Sequence, residues 1–385
     1  MSALAALSWF ALAAWIWLLT ARGGFWRADQ RLSNKTPELV RWPEVVAVVP
    51  ARNEAAVVGQ GIASLLGQDY PGRFSVVLVD DGSDDGTADV ARRAADSTGA
   101  ASHLCVLKGE PLPAGWSGKL WAVHQGLAEA GKIAPDAAYV LLTDADIVHA
   151  TANLRRLVSQ AESAQVHLVS LMVKLRCEAG WEKLLIPAFV FFFQKLYPFA
   201  WVNDEARPTA AAAGGCMLVR EDALAGVGGV EGIRARLIDD CALAREIKAH
   251  GAIWLGLTDA AESLRPYARL SDIWRMVARS AFEQLNHSVL ALAGTFLGML
   301  VLYVVPPLAA VYGWAMGDAA LALAGAAGWG LMAAAYGPTV RMYGLSPART
   351  LTLPLAGALY ALMTADSARR HWQGAGGAWK GRTYS

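Results

Sequence analysis

Residues 1–20 carry no charge, and positions 3–19 are almost wholly Ala, Leu, Trp, Phe and Ile. A run of that length matches the roughly 20 residues a helix needs to cross the apolar core of a bilayer. Three more uncharged stretches lie near the other end, at 288–317, 319–340 and 350–365, the last of them short for a span. The charge is concentrated in residues 22–285. The chain is 55% hydrophobic and only 17% charged, against a usual charged share of about 25%. That excludes a disordered chain and argues against an ordinary soluble one. Thirty-four basic residues against 33 acidic ones exclude a broad basic surface for nucleic acid. Cys105, Cys177, Cys216 and Cys241 lie far apart with no CxxC pair, so neither a zinc site nor a disulfide framework is indicated.

No Lys or Arg precedes the first apolar run, and Ala21-Arg22-Gly23-Gly24 is a poor cleavage site, which favours an uncleaved anchor over a signal peptide. Arg22, Arg27, Arg31 and Lys35 follow it, so the positive-inside rule places the N-terminus outside and the charged middle in the cytoplasm. If all three later stretches crossed, the basic tail would end outside, against the same rule. One of them is therefore expected not to cross, through a re-entrant or interfacial placement of 350–365 or a hairpin at Pro306-Pro307. The expected organisation is an anchor at 1–21, a cytosolic domain at 22–270, an interfacial helix at 271–287, a membrane region of two or three spans at 288–366 and a basic tail at 367–385. The stretches 184–194 and 273–285 both read as membrane-proximal, the second with Ile273, Trp274, Val277 and Phe282 at helical spacing.

Within the middle, short β-branched runs at 45–49, 75–79, 138–142 and 166–171 read as buried parallel strands, and 61–66, 88–95, 120–130 and 154–161 as helices. The pattern predicts an α/β domain with a doubly wound sheet. Ligands of such sheets bind beyond the carboxyl ends of the strands. The first strand ends in Pro50-Ala51-Arg52-Asn53-Glu54 and the second in Asp80-Asp81-Gly82-Ser83-Asp84-Asp85-Gly86-Thr87. A carboxylate there accepts hydrogen bonds from a base or a ribose hydroxyl, although such clusters commonly only cap the next helix. The third ends in Asp144-Ala145-Asp146, hard oxygen donors at a spacing that suits Mg²⁺ or Mn²⁺ shared with a diphosphate. Gly115-Trp116-Ser117-Gly118-Lys119 offers Lys119 to a phosphate.

In this order, with a Gly214-Gly215-Cys216 segment and the acidic pair Asp239-Asp240 before a helix, the residues resemble the GT-A fold of the family 2 glycosyltransferases. The resemblance spans nearly the whole cytosolic part. It implies Pro50, Arg52, Glu54 and Asp81 beside the base and ribose of a nucleotide-sugar, Asp144 near the ribose or metal, and Asp146 on the metal. It implies Gly215 in a close-approach loop near the transferring sugar and Asp240 as the catalytic base of inverting transfer. Of the family's (Q/R)xxRW motif only Arg279 is present, with Met276 and Ser280 departing from it; Arg279 would contact the diphosphate, and a processive polymer synthase is disfavoured. The anchor, the single catalytic domain, the Pro306-Pro307 span and terminal Trp379-Lys380-Gly381-Arg382 are most similar to the hopene-associated glycosyltransferases, near the ceramide and carotenoid types. That implies a UDP-sugar donor and a hopanoid-like lipid acceptor at a bacterial inner membrane, with the domain cytosolic. Transfer to a ceramide-like lipid, a polyprenyl phosphate or a glycan is the enzymatic alternative. A non-catalytic nucleotide-sugar sensor is disfavoured because every acidic position is present, and a transporter because the spans contain essentially no ionisable residues.

Overall fold

All seven residues of the first strand, β1 (Val45–Ala51), are buried, as expected of a strand covered by helices on both faces. The computed structural model describes residues 2–33 and 39–374, with the backbone of 378–379 and 382–383. Lys35, Lys380 and the side chains of Trp379 and Arg382 lie outside the described residues. The sheet continues with β2 (Phe74–Asp80), β3 (Leu104–Lys108), β4 (Tyr139–Thr143), β5 (Ile147–His149), β6 (Leu168–Lys174), β7 (Cys216–Arg220) and β8 (Ile253–Ser263). Its order is β3-β2-β1-β4-β7-β6-β8-β5.

The expected helices are present as Val58–Leu66, Thr87–Thr98, Gly118–Ile133 and Asn153–Ala164. The sheet, however, is mixed rather than parallel throughout. β1 runs parallel to β2 and β4, but β7 lies antiparallel between β4 and β6, pairing Thr143 with Cys216 and Ser170 with Met217. The chain reaches β7 through a long excursion that includes the helix Gly180–Leu196, not through one crossover, so no rule of handedness forces it parallel. The reversal matters for the site. It brings the amino end of β7, with Gly214 and Gly215 just before it, to the edge where β1, β2 and β4 end.

Alternation along β1 sends Val46 and Val48 to one face and Val45, Ala47 and Val49 to the other, each into a separate apolar core. The first of these cores extends from the sheet through Phe191 to Trp15, Tyr303, Tyr336 and Tyr360 of the terminal helices. The sheet layer and the helical bundle therefore share one packed interior.

Among the described residues three helices are long and apolar enough to cross a membrane: Ala3–Ala21, Val289–Met316 and Ala319–Met342. The stretch 350–365 lies mostly in a fourth helix, Leu353–Trp372, which is not among them and ends in Asp366, Arg369 and Arg370. Pro306 lacks the N–H that would bond the Leu302 carbonyl, and the indole of Trp15 supplies the missing donor at 2.8 Å. A one-turn π-helix, Leu300–Val304, precedes the prolines. Small residues let the next two helices meet: a β-carbon at Gly325 would lie 2.3 Å from the Ala310 nitrogen, and one at Gly313 2.4 Å from that of Ala322.

The segment 273–285 forms the helix Leu270–Ala278 and then a short turn, Glu283–Leu285. Its apolar residues Ile273, Val277 and Phe282 are buried within the protein. The helix Leu353–Trp372 is docked beside it: Asp366 accepts from the Trp274 indole at 2.8 Å, and the Phe282 N–H donates to Ser367 at 3.0 Å.

Candidate active site

The loops after β1 and β2 are tied to each other before they are available to a ligand. Asn53, in the left-handed region at φ 52°, donates its N–H to Ser83 at 3.0 Å and accepts from the Asp84 N–H at 3.1 Å. Thr87 accepts from the Glu54 N–H at 2.9 Å, and Asp85 accepts from the Ala55 N–H at 2.9 Å. Much of the acidic cluster after β2 is therefore scaffolding. Arg52 donates to the Asp81 carbonyl and lies 3.7 Å from the Asp81 carboxylate, which is buried. The pair stands at the strand edge, and neither residue lines the adjoining cavity.

That cavity has a volume of about 590 Å³ and opens at the shared edge of β1, β4 and β7. It gathers Pro50, Glu54, Lys119, Asp144, Asp146, Gly215, Asp240 and Arg279 from six separate parts of the chain. Ser117 caps the helix Gly118–Ile133, accepting from the Leu120 N–H at 3.3 Å, which fixes Lys119 in the first turn. The Lys119 ammonium lies 3.0 Å from Asp144 and 3.3 Å from Asp239. Burial opposes its charge, but Asp144, Asp239 and Asp240 outweigh that and hold the ammonium above the usual lysine range.

Asp239 and Asp240 begin the helix Asp239–Lys248. One Asp240 oxygen accepts from the Cys241 N–H at 2.7 Å and the other from the Gly214 N–H at 2.8 Å. Burial, then the charge of Asp239, pushes the Asp240 carboxyl up to about 6. The glycines permit this approach. A β-carbon at Gly214 would lie 3.4 Å from the Asp240 carboxylate, and one at Gly215 would lie 2.9 Å from Val173. The Gly215 carbonyl accepts from Thr143 at 2.7 Å, locking the loop to the end of β4.

Two members of the site were not foreseen. Arg265 donates to Glu54 at 2.6 Å and lies 3.4 Å from Asp146, and Ser263 donates to the same Asp146 oxygen at 2.7 Å. The carboxylates hold the Arg265 guanidinium charged despite its burial. The signal that points to them is β8, whose Ile253-Trp254-Leu255 run reads as a strand and whose end reaches the same edge. Arg236 also lines the cavity, and neither it nor Arg279 has an ion-pair partner among the described residues. The lining also includes apolar side chains, those of Val173, Leu175, Phe189, Phe193 and Met276. Phe189 and Phe193 come from the helix Gly180–Leu196, whose first turn is pinned by Glu182 accepting from the Ala179 and Tyr267 N–H groups at 2.8 and 2.6 Å.

Among the described residues no three His, Cys, Asp or Glu side chains form a metal cluster. Asp144 and Asp146 together nevertheless fit a hard divalent ion of the kind that takes one or two carboxylates and completes its shell with substrate phosphates. Burial pushes the Asp144 carboxyl up even against the pull of Lys119, so that carboxylate still gains from a further positive charge.

No curated protein sequence matches the chain. Among solved structures it is similar to the mannosyltransferase PcManGT from Pyrobaculum calidifontis, solved with GDP-Man and Mn²⁺. The TM-score is 0.57 at 21% identity, covering 96% of this chain and 99% of that one. Weaker likenesses, too distant to bear on the reaction, are to S. aureus TarS, with TM-score 0.42 at 16% identity over 63% of this chain and 40% of that one, and to mannosyl-3-phosphoglycerate synthase from Rubrobacter xylanophilus, with TM-score 0.38 at 20% identity over 72% and 85%. The fold is the GT-A type, a mixed α/β sheet with apolar helices at both ends. The family described as glycosyltransferase-like family 2 matches residues 43–286, well over half of the chain, and the protein belongs to that family of glycosyltransferases.

Proposed function

We propose that the enzyme transfers a sugar, with inversion, from a nucleotide-sugar to a lipid acceptor that enters from the membrane. The observation that carries this reading is the composition of the cavity, which is lined by Asp240, Lys119 and Arg279 and also by Phe189, Phe193 and Met276, together with an apolar core that reaches the terminal helices. Pro50 and Glu54 in the cavity, with Arg52 and Asp81 at the strand edge beside it, receive the nucleoside, the donor being a UDP-sugar on the family resemblance. Lys119 and Arg279 face its diphosphate, with Gly215 leaving room for the sugar. Asp240 takes the proton of the acceptor hydroxyl as that oxygen attacks the anomeric carbon, and the bond from that carbon to the diphosphate breaks. Asp144 and Asp146 would hold Mg²⁺ or Mn²⁺, which when bound stabilises negative charge on the departing diphosphate. PcManGT, the structural neighbour, was itself solved with Mn²⁺.

In this reading the three apolar helices cross the membrane with the N-terminus outside and the domain and tail on the cytosolic side, the arrangement the basic residues after the first helix favour. Helix Leu270–Ala278 then lies at the membrane face and Leu353–Trp372 does not cross. A hopanoid-like acceptor in a bacterial inner membrane is the class this arrangement and the family resemblance favour. The test is to incubate the full-length protein in vesicles with a panel of labelled nucleotide-sugars and acceptor lipids. Label recovered in the lipid phase supports the reading; label only in water-soluble products defeats it.

A further inference from the structure

The glycines that bring the Gly214 N–H to Asp240 have no side chains of their own to anchor, so the loop 213–215 owes its place to its neighbours. It leads into β7, which lies between β4 and β6, and a buried hydroxyl from each flank grips its backbone. From β6, Ser170 accepts from the Ala213 N–H at 2.8 Å and donates to the Ala213 carbonyl at 3.2 Å. From β4, Thr143 donates to the Gly215 carbonyl at 2.7 Å. Gly214 is the residue between these two grips, and its N–H donates to Asp240 at 2.8 Å.

The Thr143 hydroxyl is itself oriented. Its single hydrogen is committed to Gly215, so toward His149 Nε2, at 3.0 Å, the oxygen accepts. That places the imidazole proton on Nε2 and leaves Nδ1 to accept from the Asn153 amide at 2.9 Å. Burial lowers His149 to about 4, so above that pH the ring stays neutral and keeps this arrangement. Thr143, His149, Asn153 and Ser170 are all buried, and none of them lines the catalytic cavity. Burying polar side chains is costly unless they are paired, and here the pairing leads to the backbone of a loop whose glycines would otherwise be free to wander.

We propose that Thr143 and Ser170 are positioning residues for the proton transfer, holding Gly214 so that its N–H aims the Asp240 carboxylate at the acceptor hydroxyl. One Asp240 oxygen is held by the Cys241 N–H of its own helix; the bond from Gly214 to the other oxygen fixes the rotation of the carboxyl group. Loss of either grip lets the loop shift, and proton transfer falls steeply with such a displacement, whereas the nucleotide is held by residues of other elements. This rests on Asp240 being the base, the role proposed for it above.

Steady-state kinetics of lipid labelling test it, with the full-length protein in vesicles and the nucleotide-sugar that wild type uses. Thr143→Val and, separately, Ser170→Ala should each lower kcat about tenfold and leave the KM for the nucleotide-sugar within about twofold. Thr143→Ser, which keeps the hydroxyl, should recover most of the rate. In the Asp240→Asn background neither substitution should lower the residual rate further, because the group being aimed is gone. Ser170 lies across β7 from Asp144, so its variant reads the loop even if the change at Thr143 disturbs Asp144 or the fold. A wild-type kcat in Ser170→Ala, a loss carried wholly by KM, no recovery in Thr143→Ser, or a further loss of about tenfold in the Asp240→Asn background would each overturn the inference while leaving Asp240 as the base. Undiminished transfer by Asp240→Asn alone would overturn the base assignment, and the inference with it.

Discussion

Burial sets the Asp240 carboxyl at about 6, so above that pH it is ionised and able to accept a proton, and below it the proton is already in place. Turnover should therefore fall as pH drops through about 6, by about tenfold per unit, in a pH profile of initial rates. The stability effect has the opposite sign. An acid whose folded pKa is raised above its ordinary 3.8 stabilises the fold below that value, and the contribution is lost as pH rises through about 6. Asp240→Asn, which cannot ionise, should raise Tm at neutral pH and leave it unchanged in acid below about 4. Arg265 provides a second prediction at this scale. Arg265→Met leaves Glu54 and Asp146 without their shared cation, and nucleotide-sugar affinity should fall at least about tenfold by calorimetry. Arg265→Lys should recover only part, since an ammonium has no planar fork to serve two carboxylates. Arg265 is also where reading the sequence stops short. Asp81, Asp144, Asp146 and Asp240 are legible because each sits at a strand end or helix start beside a recognisable pattern, whereas Arg265 becomes visible only once β8 is known to end at the same edge.

At the scale of elements, the helices are the legible part, because amphipathic periodicity over a dozen residues survives any tertiary arrangement. The strands β3, β5 and β7 are not, being only three to five residues long with no clear alternation. The direction of β7 depends on the route of the whole excursion through Gly180–Leu196, which no local pattern records. The prolines at 306 and 307 illustrate the reverse case. Their sequence announces a broken ladder of hydrogen bonds, but only the structure shows that Trp15, from the other end of the chain, repairs it. Trp15→Phe keeps most of the apolar volume and removes that donor. It should cost about 1–2 kcal/mol of stability, read as a lower thermal midpoint of the protein in detergent.

For the whole molecule, the decisive feature is the core that runs without interruption from β1 to the terminal helices, so the catalytic layer cannot float free of the bundle. Among the described residues three helices are long and apolar enough to cross a membrane, and the proposed topology puts the tail on the side of the catalytic domain. In a variant lacking the four native cysteines, a single cysteine at Asp318, between the second and third apolar helices, should react with an impermeant thiol reagent from outside intact cells. One at Gln373 should react only after the cells are opened. The most direct test of the central claim compares wild type with Asp240→Asn in one vesicle preparation, measuring donor binding and transfer of labelled sugar to the lipid phase together. Wild type should label lipid, and the variant should bind the nucleotide-sugar with similar affinity yet lose transfer by about a hundredfold or more. Undiminished transfer by the variant would contradict the assignment of Asp240 as the base.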